Sequence, residues 1–213
     1  MTDAPALALI EVGLLSRAYV VLDAVVKKAP VTILAYQEVS PGKTLLVMTG
    51  GESEVEESTE EARRVAGASL LDLLILPQVH PQVVALLRGG LPHALPLALG
   101  VVETLTAAAA VRAADAGLKA AEVALLKLRL AAGIGGKGLV LFSGDLGNVD
   151  AALDAACEAA RAAGRGYGAG AGAHCAAPPR DCGPLHRVTT AQSLIPGVGC
   201  PHTAGAATPH WRP

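Results

Sequence analysis

Aromatic residues are nearly absent, with one Phe, one Trp and three Tyr among 213 residues. Platforms that stack bases of single-stranded nucleic acid are built from such rings, so this scarcity argues against that function. Positive charge is not in excess either. The formal net charge of −2 provides no basic footprint for a phosphate backbone. Long uninterrupted apolar runs are missing: the uncharged stretch between Arg88 and Glu103 is shorter than a bilayer span and is broken by Pro92 and Pro96. The start, Met1 to Pro5, lacks the basic region of a secretory signal, and a soluble cytoplasmic protein is expected. Cysteine is sparse. Cys157 sits in an Ala-rich helical pattern while Cys175, Cys182 and Cys200 fall in the tail, a spacing with no evident disulfide framework.

What the chain does have is small aliphatic residues and a repeat. At 52% hydrophobic and 17% charged it can bury one or two modest cores made of Ala, Val, Leu and Ile. Leu9-Ile10-Glu11-Val12 returns as Val101-Val102-Glu103-Thr104, and Asp23, Lys27 and Ala29 return as Asp115, Lys119 and Ala121, all offset by 92 residues. Gly42-Lys43 with the apolar run to Gly50 returns as Gly136-Lys137 with the run to Gly144, now offset by 94. A repeat this long means two small domains in tandem rather than a solenoid.

Both copies carry the same periodicities. Ala6 to Val12 suits a buried strand, and Leu22, Val25, Val26 and Ala29 recur at helical spacing with Ser16 available as N-cap. Residues 31–39 and 44–49 read as strands around a Ser40-Pro41-Gly42-Lys43 turn. Ser53 to Glu56 fits a capping box for a helix whose acidic cluster is a solvated face. Residues 70–76 read as a last strand stopped by Pro77, and 81–87 as a short helix. The second copy predicts strand 97–104, helix 106–120, strands 123–131 and 138–143, and helix 148–163. The fold class is therefore α+β: two tandem β-α-β-β-α-β domains, ferredoxin-like in class, at 1–90 and 97–164, joined by a linker at 91–96. The last strand of the second copy is missing or displaced to about 187–195, and 165–213 forms a Gly/Ala/Pro-rich tail.

Several motifs together carry a family resemblance: Ile-Glu closing a first strand, Asp-x-x-x-Lys-x-Ala on a first helix, a Gly-Lys turn, Gly-Gly or Gly-Asp opening a second helix, and Val79-His80-Pro81 after a last strand. The chain resembles bacterial microcompartment shell domains. Two copies in one chain resemble the tandem-domain trimeric type, above all the iron-sulfur-type tandem shell proteins of propanediol-utilisation microcompartments. The likeness covers roughly residues 6–163 and leaves out the tail.

The resemblance implies a structural shell protein rather than an enzyme. Its implied partners are two further copies of itself in a pseudohexameric trimer, other shell proteins edge to edge, encapsulated enzymes, and small metabolites crossing a central pore. It places Lys27 and Lys119 at the tile edge, and Ser40, Pro41 and Gly42 with Gly133, Ile134, Gly135 and Gly136 around the pore. In the iron-sulfur type a cysteine precedes Pro-Gly-Lys. Here Ser40 stands there, and a hydroxyl is a poor substitute for thiolate, so no cofactor is expected and the pore should favour small polar molecules.

Other chemistries fit worse. Gly42-Lys43-Thr44 fails as a phosphate-binding loop because the first glycine would fall at Gln37 and a strand follows where a helix is required. His174, Cys175, Cys182, His186, Cys200 and His202 lack a tight Cys-x-x-Cys pair for zinc. Glu11 and Glu103 sit at strand ends, where the ordinary role of a carboxylate is hydrogen bonding at an interface. The alternative from another class is a trimeric ligand-sensing module on the same small fold.

Overall fold

The computed structural model describes residues 5–90, 98–163 and 174–175. The first copy runs β1 (Ala6–Val12), α1 (Leu15–Lys28), β2 (Thr32–Val39), β3 (Lys43–Gly50), α2 (Glu52–Ala66), a single 3-10 turn, β4 (Leu70–Leu76) and α3 (Pro81–Leu87). The second runs β5 (Ala98–Thr104), α4 (Ala107–Ala120), β6 (Ala124–Leu130), β7 (Gly138–Gly144), α5 (Leu146–Ala163) and β8 (His174–Cys175). Each expected strand and helix within the described residues is present, with ends moved by a few residues.

The two sheets share one topology, β2-β3-β1-β4 and β6-β7-β5-β8, antiparallel throughout. Their registers carry the repeat. Glu11 faces Leu45 across the β1–β3 ladder and Glu103 faces Leu139 across β5–β7, so the shift from an offset of 92 to one of 94 is absorbed in the longer turn after β6. The place of a fourth strand in the second sheet is held by β8, where Cys175 pairs with Val102 and His174 with Glu103. The expected linker at 91–96, the expected strand at 187–195 and most of the tail lie outside the described residues.

Alternation along β1 decides the layers. Ala6, Ala8, Ile10 and Val12 face α1 and α2 in a core with Val21, Val25, Leu46, Met48 and Val55. Leu7 and Leu9 point the other way and are equally buried, because with Leu45, Val47, Leu74 and Val83 they join a second cluster that runs into Ala107, Ala110, Val111, Ala114 and Phe142 of the other copy. The first sheet is thus covered on both faces, once by its own helices and once by the second copy.

Three local expectations are corrected. Ser16 is not the N-cap of α1: the helix starts at Leu15, and Leu14, which has no side-chain acceptor, holds the cap position. Ser53 lies inside α2, which begins after Gly51, so the capping box does not form. Cys157 on α5 is disulfide-bonded, which the cysteine spacing had not indicated.

Candidate functional site

The buried carboxylate of the first copy lies where the second copy docks on it. Glu11, at the end of β1, is 1% exposed. One carboxylate oxygen accepts the amide N–H groups of Ala107 at 2.9 Å and Ala108 at 3.2 Å, the first residues of α4. The other receives Lys43 Nζ. A carboxylate is suited to this place because the first amides of a helix have no intrahelical acceptor and carry partial positive charge. Thr106 Oγ1 serves a third amide, accepting from Ala109 at 3.1 Å. The start of α4 is therefore capped from both copies.

Lys43 also reaches the Gly136 carbonyl at 3.4 Å. This contact joins the two turns that the resemblance nominates for the pore. Ser40, Pro41 and Gly42 are exposed, with the Ser40–Pro41 peptide cis and Gly42 at φ 106°. Gly133, Gly135 and Gly136 adopt φ of 69°, 65° and 82°, conformations natural to glycine, and Ile134 between them is half-buried. Gly136 is buried against the first turn, and a Cβ there would lie 3.2 Å from the Ser40 carbonyl oxygen. A side chain at that point would require the Ser40 backbone to give by a few tenths of an ångström.

Neither turn carries a thiol, since residues 38–43 and 131–137 contain no cysteine. The donor set there does not fit an iron-sulfur cluster, which is held by thiolate sulfur.

The expected edge lysines lie in different settings. Lys27 is exposed and, among the described residues, pairs with Asp23 at 2.7 Å, one helical turn earlier. Lys119 makes the equivalent pair with Asp115 at 2.6 Å and donates as well to the Gln78 carbonyl of the first copy at 2.5 Å. Asp115 is buried and accepts the His80 backbone N–H at 2.8 Å. Gln82 completes this side of the joint, accepting from Leu125 N–H at 2.9 Å. Sequence reasoning gave Gln82 and Asp115 no part at an interface; the one available signal was the position of Gln82 in the first turn of α3, where an amide side chain is free to reach a neighbouring strand end.

His80 caps α3, its Nδ1 accepting from Gln82 N–H at 3.3 Å. Burial lowers its pKa below the usual 6.5, with Asp115 acting to raise it and Lys119 to lower it. The neutral ring is the form that caps, since protonation removes the Nδ1 acceptor. With the folded pKa depressed, the unfolded chain takes up the proton first. The stabilisation is full above pH ~6.5 and is lost as pH falls toward the folded pKa. Thermal midpoints measured from pH 8 to 5 should fall on the acid side, and His80→Asn, which keeps a capping oxygen without titrating, should flatten that decline.

The second copy repeats this machinery without a docked neighbour. Glu103 pairs with Lys137 at 2.6 Å as Glu11 does with Lys43, but both side chains are about half exposed, at 48% and 49%, against 1% and 12% for the first pair. Val101 is exposed where Leu9 is buried, and Leu99, Leu139 and Leu141 are half-buried where Leu7, Leu45 and Val47 are fully buried. Conversely α1 leaves Leu15 and Tyr19 open where α4 buries Ala107 and Val111. Each surface buried in the joint thus has an open, unmatched counterpart on the other copy among the described residues.

Comparison with known proteins identifies the modules: the BMC domain family matches residues 6–79 and 98–169. The chain belongs to the BMC-domain family. It is 33% identical over 148 residues to the bacterial microcompartment shell protein PduT of Citrobacter freundii, covering 70% of this chain and 80% of that one. Among solved structures, a microcompartment protein from Desulfitobacterium hafniense superposes with a TM-score of 0.70 at 34% identity, covering 80% of this chain and 93% of that one. The fused permuted hexameric shell protein MSM0275 of the RMM microcompartment superposes at 0.59 with 26% identity, covering 75% and 85%. This BMC protein is a shell protein of the tandem-domain type, and among its described residues no helix is long and apolar enough to cross a membrane.

Proposed function

We propose that three copies of this BMC protein close head to tail into a pseudohexameric tile, and that such tiles pave the shell of a bacterial microcompartment in the cytoplasm. The observation that carries the reading is the unmatched joint. A surface buried once within the chain and presented open at both ends is a heterologous interface, and such interfaces form rings when the rotation closes. Six domains of one fold close as three chains of two.

The paired turns then surround the ring axis, Ser40 to Gly42 alternating with Gly133 to Gly136. With a serine hydroxyl in place of a thiol, the opening suits small polar metabolites. Lys27 and Lys119 take the tile edge, Lys119 aimed by Gln78 and Asp115, with other shell proteins and enclosed enzymes as further partners. The role is structural rather than catalytic, in keeping with the shell-protein names of its relatives.

Native mass spectrometry with negative-stain electron microscopy of the purified protein tests this. Trimers that associate into flat sheets or tubes are the expected result, and Lys27→Asp should leave the trimer intact while abolishing sheets. Discrete trimers that never meet edge to edge, and whose mass changes with added metabolites, would favour the ligand-sensing alternative.

A further inference from the structure

We infer that Glu103 and Lys137 are the clasp between subunits: the Glu103 carboxylate accepts the N–H groups of Leu15 and Ser16 of the partner subunit, and Lys137 reaches its Gly42 carbonyl. This rests on the ring reading above and goes further, by assigning the residues that close it and by distinguishing the two kinds of joint within it.

The assignment follows from the repeat. Glu103 and Lys137 hold the register positions of Glu11 and Lys43, as Glu103–Leu139 pairing matches Glu11–Leu45. Leu15 and Ser16 stand 92 residues before Ala107 and Ala108, whose amides Glu11 accepts. Gly42 stands 94 before Gly136, whose carbonyl Lys43 reaches. A second, independent observation points to a missing acceptor. Where Thr106 caps α4, the matching residue before α1 is Leu14, and the start of α1 has no side-chain cap. Among the described residues, α4 has two side-chain acceptors at its start, from Glu11 and Thr106, whereas α1 shows none. A carboxylate is the strongest group for that task.

The walls of the two joints also differ. In the completed joint Val111, Leu128 and Leu130 pack into the shared cluster. Their counterparts 92 residues earlier are Tyr19, Tyr36 and Glu38, with Tyr19 Oη donating to Glu38 at 2.9 Å and the two rings 5.4 Å apart. The physical reason is assembly. The joint inside the chain forms with folding and never faces water, whereas the joint between subunits must be soluble while open. Its wall therefore keeps a polar end on the exposed Tyr19, which pairs with Glu38. The pairs themselves follow the same logic, since Glu103 and Lys137 satisfy each other in the open chain and can turn to the partner on closure.

The test is a dilution series of wild-type, Glu103→Ala and Glu103→Gln protein followed by native mass spectrometry, with hydrogen exchange of the Leu15 and Ser16 amides. Glu103→Ala should raise the concentration at which trimers fall apart by about 10- to 100-fold, the scale of one or two charge-assisted bonds. Glu103→Gln, which keeps an acceptor oxygen, should fall between. Exchange protection at both amides should be present in wild-type trimers and lost in Glu103→Ala. Superimposable dissociation curves for wild type and Glu103→Ala, with unchanged protection, would overturn the clasp while leaving the tile reading standing. A wild-type chain that stays monomeric at every concentration would overturn both.

Discussion

Glu11→Ala is expected to lower unfolding stability by about 3–5 kcal/mol, the range for removing one partner of a buried ion pair. The loss has three parts. Lys43 is left 12% exposed with no opposite charge. The Ala107 and Ala108 amides lose their acceptor. Among the described residues, the Asp115, Lys119 and Gln82 contacts, the Lys43 contact to Gly136 and the apolar cluster remain to hold the copies together. For a chain of this size the thermal midpoint should fall by roughly 10 °C. Glu11→Gln keeps an oxygen for the two amides and should lose less. The control is the equivalent pair in the second copy. In the dissociated chain, Glu103→Ala should cost under about 1 kcal/mol, because a half-exposed pair is screened by water. Urea denaturation of both variants measures the contrast, and equal losses would mean that the burial of Glu11 has no energetic consequence.

The second large effect is expected at Phe142, the sole phenylalanine, which is fully buried on β7. In a core otherwise built from Ala, Val and Leu, no neighbour has the length to fill the space its ring vacates. Phe142→Ala should therefore cost about 3–5 kcal/mol, read as a lowered urea midpoint. The ring also explains a glycine inside a helix. A Cβ at Gly117 of α4 would lie 2.5 Å from Phe142 Cζ and 3.0 Å from the Ala152 carbonyl oxygen, so α4 approaches β7 and α5 only because the side chain is missing. Gly117→Ala should destabilise the wild-type protein despite the better helix propensity of alanine, and should cost less in a Phe142→Ala background, where the nearest obstacle is gone.

Much of the fold was legible residue by residue. β1 and β4 span the residues their apolar runs predicted, because a 7-residue strand bounded by Gly, Ser or Pro leaves the period little freedom. Pro81 marked the start of α3 in the same way. Helix starts were less legible. Ser16 and Ser53 looked like caps, but α1 begins at Leu15 and α2 at Glu52, each within a tight turn from the preceding strand. The length of those turns, set by how β1 and β3 sit in the sheet, overrode the local preference of serine. The continuous apolar run of β1 was legible as a buried strand, but that its second face is covered by the other copy rather than by a layer of its own was not.

The sequence by itself determined that there are two modules of one fold, which residues correspond between them, and that no thiol stands in the paired turns. These are local properties, carried by periodicity, turn chemistry and residue identity. Only the tertiary structure decided what the corresponding residues do. Glu11 and Glu103 occupy the same place in their strands, yet one is a buried cap on a neighbouring helix and the other waits half exposed. The difference arises because the second copy docks against Glu11, while Glu103 and its partner Lys137 stay half exposed among the described residues.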